Sequence, residues 1–283
     1  MTCYYPLLGL PKGLDASVSY FSHTHNQFAD KDDRTPHCHQ RQLALYQMID
    51  GKWKLRDQLL LPRFGDVTLH ASTYGLSEGE LIVVVPLTED TPIEDSTDLL
   101  PKPSSKRVDQ SPIAERGCLA FHWRGISSSY QGEYPLRMAE VNGGSFLSFD
   151  PLLKPDPAAG KSLVILMSIS RRHNPTTYTL ELFDGTSKEI LSSVNHCQNR
   201  CTVLDLPAEG VGPGPIVMRG SNWVGIPITI KLSKDGEPAS MSVEHAHPPT
   251  ELFWGTDRFA GSKKIKSSWM GMKLKATTSA TKI

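Results

Sequence analysis

Residues 43–61 read LALYQMIDGKWKLRDQLLL, and this stretch predicts two antiparallel strands joined by a tight turn. The turn is Asp50-Gly51, which has apolar runs on both sides. A two-residue hairpin turn needs positive φ at both central residues, a conformation that Gly adopts freely and Asp tolerates. We therefore predict a β-hairpin centred on this dipeptide.

Three further turn signals occur along the chain. They are Asn142-Gly143-Gly144, Asp184-Gly185 and Asp235-Gly236, and each predicts a hairpin in the same way. Within residues 226–232 the apolar side chains occupy alternate positions, which places them on one face of a strand. No stretch of about 12 residues has the apolar spacing and caps of an amphipathic helix. The sequence therefore predicts an all-β protein, an antiparallel β-sandwich or barrel with little helix.

The length of 283 residues suits two β units, because a single core stops growing at about 250–300 residues. Residues 89–113 are rich in proline and acidic side chains, a composition typical of a linker or long loop. We therefore predict an N-terminal barrel- or sandwich-like unit at 1–88 and a C-terminal antiparallel β-sandwich at 114–260. Residues 261–283 carry lysines and no acidic residue, and we expect them to form a solvated basic tail.

Charge and composition argue against several classes of partner. The 30 Lys and Arg residues balance 30 Asp and Glu residues, so no net field attracts nucleic acid or an anionic membrane. Pro6 and Pro11 interrupt the apolar N-terminus, and no apolar run reaches the roughly 18 residues of a membrane helix. Five cysteines are too few, and odd in number, for a disulfide framework. We expect a soluble cytoplasmic protein without nucleic-acid or membrane partners.

Six of the ten histidines form three His-x-His pairs. The pairs are His23/His25, His37/His39 and His245/His247. In a strand, residues two positions apart point to the same face with Cα atoms roughly 6.5–7 Å apart, so that two imidazoles can converge on one ion. Imidazole nitrogens suit Zn, Fe, Mn, Ni or Cu. The pairs therefore predict a transition-metal site.

The pair at the C-terminal end has apolar neighbours on its strand face. His245 and His247 share the strand parity of Met241 and Val243, and the pair at 37 and 39 has apolar residues at the same parity. Such a pair would lie where an apolar face ends at the mouth of a sandwich or barrel, a common place for ligands and metals. Two such pairs, or one pair with a carboxylate such as Glu251, would complete the ligand set.

The sequence around the second pair resembles the cupin family. In that family a His-x-His motif is followed by a Glu and then by a Gly that closes a hairpin, and His37-Cys38-His39, Ala44 and Gly51 have this spacing. Pro62-Arg63-Phe64-Gly65-Asp66, followed by His70, resembles the second motif. The resemblance implies a small β-barrel over residues 43–85, although Ala44 stands where the family has a metal-binding Glu.

Three functions remain open. The leading prediction is a metal-binding protein, or a metal-assisted enzyme acting on a small organic substrate with Glu244 or Glu251 as proton carrier. The first alternative is a non-catalytic sandwich that binds a glycan or a protein chain, including a second copy through its strand edges. It gains support because motifs such as Gly-x-Gly-x-x-Gly and His-Glu-x-x-His are missing from the sequence. The second alternative is a metal-independent enzyme with its site in a β-barrel cavity.

Tryptophan is relevant to the glycan alternative, because an exposed indole ring can stack on a sugar. The chain has five tryptophans, and tryptophan is mainly a core residue. Residues 121–124 and 221–223 are the first places in which to look for an exposed ring.

Overall fold

Antiparallel strands make up most of the computed structural model. It describes residues 3–21, 41–62, 65–103, 116–141, 145–148, 159–172, 176–206, 215–221, 225–245 and 266–276. In these residues every strand of the four sheets pairs with its neighbours in antiparallel fashion. The predicted all-β, sandwich-like fold is confirmed.

The chain divides into two units. The first contains Met1–Glu140 with Ile169–Pro175, and the second contains Val141–Ser168 with Thr176–Ile283. The sequence places the division at 89–113 instead. The difference arises because residues on both sides of that stretch pair in the same sheets, as described below.

The described residues of the first unit form ten strands in two sheets. The strands are β1 (Cys3–Leu8), β2 (Leu14–Phe21), β3 (Arg41–Ile49), β4 (Lys52–Leu61), β5 (Asp66–His70), β6 (Leu81–Thr88), β7 (Ser96–Thr97), β8 (Arg116–Trp123), β9 (Ile126–Gln131) and β10 (Tyr134–Pro135). The β6 sheet has the order β10-β1-β6-β3-β4-β7, and the β2 sheet has the order β5-β2-β8-β9. Because β8 pairs with β2, the first unit continues well beyond the predicted boundary at residue 88.

In the second unit, the part of the chain that the structure describes forms eight strands in two sheets. The strands are β11 (Ser145–Ser148), β12 (Lys161–Ser168), β13 (Thr177–Asp184), β14 (Ile190–Cys197), β15 (Arg200–Asp205), β16 (Ile216–Ser221), β17 (Ile226–Leu232) and β18 (Met241–His245). The β13 sheet has the order β11-β16-β13-β14, and the β12 sheet has the order β15-β12-β17-β18. Alternate residues of the two sheets form one hydrophobic core, to which Val164 and Leu166 contribute from β12 and Leu180 and Leu182 from β13.

Helix is a minor component, as predicted. The described residues contain α1 (Leu136–Glu140), a 3-10 helix at Ala71–Tyr74 and a short helix at 266–270. None of the helices in the described part of the chain is long and apolar enough to cross a lipid bilayer.

Aromatic residues join the two sheets of the first unit. Tyr5 of β1 contacts Tyr20 of β2 edge to face, with ring centroids 5.3 Å apart. Gly117 of β8 makes room for this packing, because a Cβ atom there would lie 2.2 Å from the ring of Tyr5. A side chain at this position would separate the sheets or displace the tyrosine.

The proline-rich stretch that resembles a linker packs on the first unit over residues 89–103. The hydroxyl of Tyr4 donates to the carbonyl of Pro101 at 2.9 Å, and the hydroxyl of Tyr46 donates to the carbonyl of Glu94 at 2.9 Å. Leu100 is completely buried. Buried phenol groups need hydrogen-bond partners, and the carbonyl groups of an extended, proline-rich chain provide them.

Three of the four predicted hairpins are confirmed. Asp50 and Gly51 have φ values of 52° and 74° and join β3 to β4, which confirms the first prediction. The strands that flank Asp184-Gly185 and Asp235-Gly236 also pair with each other. The hairpin predicted at Asn142-Gly143-Gly144 is wrong, because α1 precedes it and the following strand β11 pairs with β16. That turn itself lies outside the described residues.

The described strands form open sheets, and none of these sheets closes into a barrel. Residues 43–85 contribute to two different sheets, and the outermost strands of the six-stranded one, β10 and β7, do not pair with each other. The β-barrel implied by the resemblance to the cupins is therefore wrong. The predicted enzyme site inside a barrel cavity loses its structural basis for the same reason.

Candidate functional site

A polar pocket of about 350 Å³ lies on the outer face of the β13 sheet in the second unit. Its lining residues come from β13, β16 and the chain beyond residue 265. They are Thr177, Tyr178, Thr179, Glu181, Arg219, Ser221 and Met270. The volume lies at the lower end of the range for small-ligand sites, about 300–1,000 Å³.

Strand alternation explains why polar side chains collect at this surface. On β13, Leu180 and Leu182 face the core between the sheets, so Thr179 and Glu181 face outwards. Glu181 lies directly opposite Arg219 of β16. The outer face of the sheet therefore carries hydroxyl groups and one ion pair.

Arg219 is the best-anchored side chain of the pocket. Its Nε donates to Oε2 of Glu181 at 2.7 Å, and its guanidinium carbon lies 5.4 Å from the ring centroid of Phe183. Its Nη1 donates to the carbonyls of Trp269, Met270 and Met272 at 3.0, 3.3 and 2.7 Å. The arginine side chain is only 12% exposed, so the carboxylate beside it is held by a rigid neighbour.

Residues 266–276, which we call the C-terminal segment, pack against the same sheet. The ring of Trp269 lies 6.2 Å from that of Phe183, centroid to centroid. The amide of Ile190 donates to the carbonyl of Lys275 at 3.1 Å, and the amide of Lys275 donates to the carbonyl of Lys188 at 2.9 Å. Where the sequence predicts a solvated tail, this segment forms a wall of the pocket, because its aromatic and main-chain groups find partners on the sheet.

The lining offers hydrogen-bond donors and acceptors beside the side chains of Tyr178 and Met270. The hydroxyl of Thr179 donates to Oδ1 of Asn195 at 3.0 Å, which leaves its lone pairs available as acceptors. Glu181 provides a carboxylate, and Met270 provides a polarizable thioether side chain. The lining residues include no histidine or cysteine. Their chemistry suits the binding of a neutral, hydroxyl-rich molecule.

Most of the predicted metal ligands lie outside the described residues. These are His23, His25, His37, His39, His247 and Glu251. His245 lies on β18 opposite Ile228, while its neighbour Glu244 lies opposite Thr229 and faces the other side of the strand. In the part of the chain that the structure describes, no three His, Cys, Asp or Glu side chains are placed to hold a metal ion.

A buried histidine links the two sheets of the second unit. Nε2 of His196 lies 2.8 Å from the hydroxyl oxygen of Ser168, and its Nδ1 lies 3.1 Å from that of Thr202. Burial lowers the pKa of His196 to about 4, because desolvation disfavours the charged imidazolium. The ring is neutral at physiological pH and has a structural role between the sheets.

A second polar cluster lies on the β2 sheet of the first unit. Nε2 of His122 lies 2.7 Å from the hydroxyl oxygen of Ser17, and its Nδ1 lies 2.7 Å from that of Ser127. The ring of His70 lies 5.3 Å from that of His122, and its Nδ1 lies 3.7 Å from Oδ2 of Asp15. Ser17 is 2% exposed beneath this cluster, so its hydroxyl is poorly accessible to a substrate.

The aromatic residues named from the sequence have mixed positions. Trp53 and Phe121 are completely buried. Trp123 is half-buried, and the guanidinium carbon of Arg124 lies 4.9 Å from the centroid of its ring. Trp223 lies outside the described residues. The rings of Trp53 and Phe121 are therefore inaccessible to a sugar.

The residues of the pocket carry a weak signal in the sequence. The alternation of Thr177, Thr179 and Glu181 with apolar residues indicates a polar strand face. The pairing of Glu181 with Arg219 depends on the order of the strands, which the sequence does not reveal. No family model, curated protein or solved structure matches this chain.

Proposed function

We propose that the protein is a non-catalytic binding protein whose second unit binds a carbohydrate in the pocket on the β13 sheet. The observation that carries this proposal is the composition of the pocket wall. Four hydroxyl-bearing side chains, one of them the phenol of Tyr178, a carboxylate fixed by Arg219 and one methionine side chain surround a space of about 350 Å³.

Sugar hydroxyls both donate and accept hydrogen bonds, so a sugar needs both kinds of partner. The carboxylate of Glu181 accepts from two adjacent hydroxyls when its other side is held by an arginine, and the threonine and serine hydroxyls serve either role. Met270 provides an apolar surface for the C–H face of the ring. These groups match a single sugar ring.

Binding without catalysis follows from the acids that line the pocket. Hydrolysis of a glycosidic bond commonly uses two carboxyl groups about 5–10 Å apart, one as acid and one as base or nucleophile. Glu181 is the one carboxylate in the described lining, and Arg219 is its ion-pair partner. The pocket therefore supports recognition of a sugar.

Ligand-observed NMR with a panel of neutral mono- and oligosaccharides tests this proposal. We expect at least one sugar to bind, and we expect Thr179→Val to weaken its binding about tenfold, the effect of losing one hydrogen bond to the sugar. Ser193→Ala is the matched control, because Ser193 is an exposed hydroxyl residue on the same sheet that does not line the pocket. Wild-type protein that binds no sugar of the panel, or equal losses in both variants, would contradict the proposal.

We propose transition-metal binding through the His-x-His pairs as a second candidate function. It is supported by the position of His245, which continues the strand face of Met241 and Val243 as the pair geometry requires. Glu251 suits the role of proton carrier in that site better than Glu244, since Glu244 and His245 lie on opposite faces of β18.

Elemental analysis of protein purified without an affinity tag tests the metal proposal. We expect close to one equivalent of Zn, Fe, Mn, Ni or Cu, and a loss of most of it when His245 and His247 are both replaced by Ala. The double variant at His37 and His39 shows whether the pairs share one ion. A metal content below about a tenth of an equivalent in wild-type protein would overturn the proposal.

A further inference from the structure

Arg219 contacts two parts of the second unit that are distant in sequence. Its Nε holds the carboxylate of Glu181, and its Nη1 donates to three carbonyls of the C-terminal segment. One planar guanidinium therefore connects the acceptor in the pocket with the segment that carries Met270. A lysine has a single ammonium group and cannot span both partners in this way.

The C-terminal segment has two further anchors outside the pocket. Trp269 packs on Phe183, and Lys275 exchanges backbone hydrogen bonds with Lys188 and Ile190. Neither Trp269 nor Lys275 lines the pocket. The docking of the segment can therefore be changed without removing a group that contacts the ligand.

We infer that Arg219 is a positioning residue and that the C-terminal segment is a detachable wall, so that the pocket is complete only while the segment is docked. This inference rests on the proposed function of the pocket. When the segment is displaced, Met270 leaves the pocket and Nη1 of Arg219 loses its three carbonyl acceptors. A bound sugar then stabilises the docked segment, and docking of the segment raises the affinity for the sugar, because both require the same conformation.

Hydrogen exchange of the full-length protein, followed by NMR, measures the docking of the C-terminal segment directly. The amides of Ile190 and Lys275 report on it, because each donates a hydrogen bond across the contact between the segment and the sheet. If only the docked state binds a sugar, a sugar concentration of ten times its Kd slows exchange of these amides about elevenfold. The amide of Val84 on the buried strand β6 of the first unit is the control, and its exchange should not change.

Two variants complete the test. We expect Arg219→Lys and Trp269→Ala each to speed exchange of the Ile190 and Lys275 amides about tenfold without ligand, and Trp269→Ala to weaken sugar binding about threefold. Ser268→Ala, at an exposed position of the same segment, should change neither.

The outcomes separate the two proposals. Unchanged exchange in Arg219→Lys, or a bound sugar that leaves exchange of the two amides unaltered, overturns the inference. Wild-type protein that binds none of the sugars overturns the proposed function, whereas the variant exchange rates still decide whether Arg219 holds the segment.

Discussion

His122 in the first unit and His196 in the second have equivalent hydrogen bonds in different surroundings. In both, Nε2 lies next to a serine hydroxyl and Nδ1 lies next to the hydroxyl of a second Ser or Thr. His196 is completely buried between two sheets, whereas His122 is half-buried on an outer face. The two histidines therefore need not contribute equally to stability. Their burial determines how much free energy of unfolding is lost when the ring is removed or protonated.

Truncation should distinguish the two histidines most clearly. We expect His196→Ala to lower the free energy of unfolding by about 4 kcal/mol, since it creates a cavity and leaves the hydroxyls of Ser168 and Thr202 without this partner. Urea denaturation followed by circular dichroism measures the change. A loss below about 1 kcal/mol would mean that the space between the sheets is hydrated or collapses readily.

The second largest expected effect is on the pH dependence of stability, to which the buried His196 should contribute. Because the folded-state pKa of His196 is about 4 and the unfolded value is about 6.5, the unfolded chain binds the additional proton between these pH values. The contribution of His196 is complete above about pH 6.5 and falls by about 3 kcal/mol as the pH decreases to about 4.

A non-titrating variant isolates this contribution from the carboxylates that titrate in the same range. The stability of His196→Phe, measured in urea at several pH values, should depend less on pH between about 6.5 and 4 than that of the wild type. Parallel curves for the two proteins would show that His196 is not neutralised by burial.

The sequence predicts the fold best where structure depends on neighbouring residues. The hairpin at Asp50-Gly51 follows from the backbone freedom of two residues, so no tertiary information is needed. Residues 89–113 show the opposite case. Their composition predicts a linker, yet Leu100 is buried and the carbonyls of Glu94 and Pro101 accept hydrogen bonds from distant tyrosines. Such contacts depend on which strands are neighbours.

The candidate site is harder to predict for the same reason. Glu181 and Arg219 are 38 positions apart and meet only because β13 and β16 are adjacent in the sheet. Met270 joins them through a short segment whose lysines resemble a solvated tail. The histidine spacing is a local signal, and for His245 it indicates the strand face correctly. Spacing alone does not show which other chain segments meet that face.

The smallest effects are expected at the half-buried histidine. His122→Ala should lower the free energy of unfolding by about 1 kcal/mol, because the buried hydroxyl of Ser17 loses its imidazole partner, while solvent can reach Ser127. Ser127→Ala should cost less than about 0.5 kcal/mol in the same urea experiment, since water replaces the exposed hydroxyl. If His122→Ala cost as much as His196→Ala, the hydrogen bonds themselves would dominate. Burial of the imidazole would then not determine how much each of the two histidines contributes to stability.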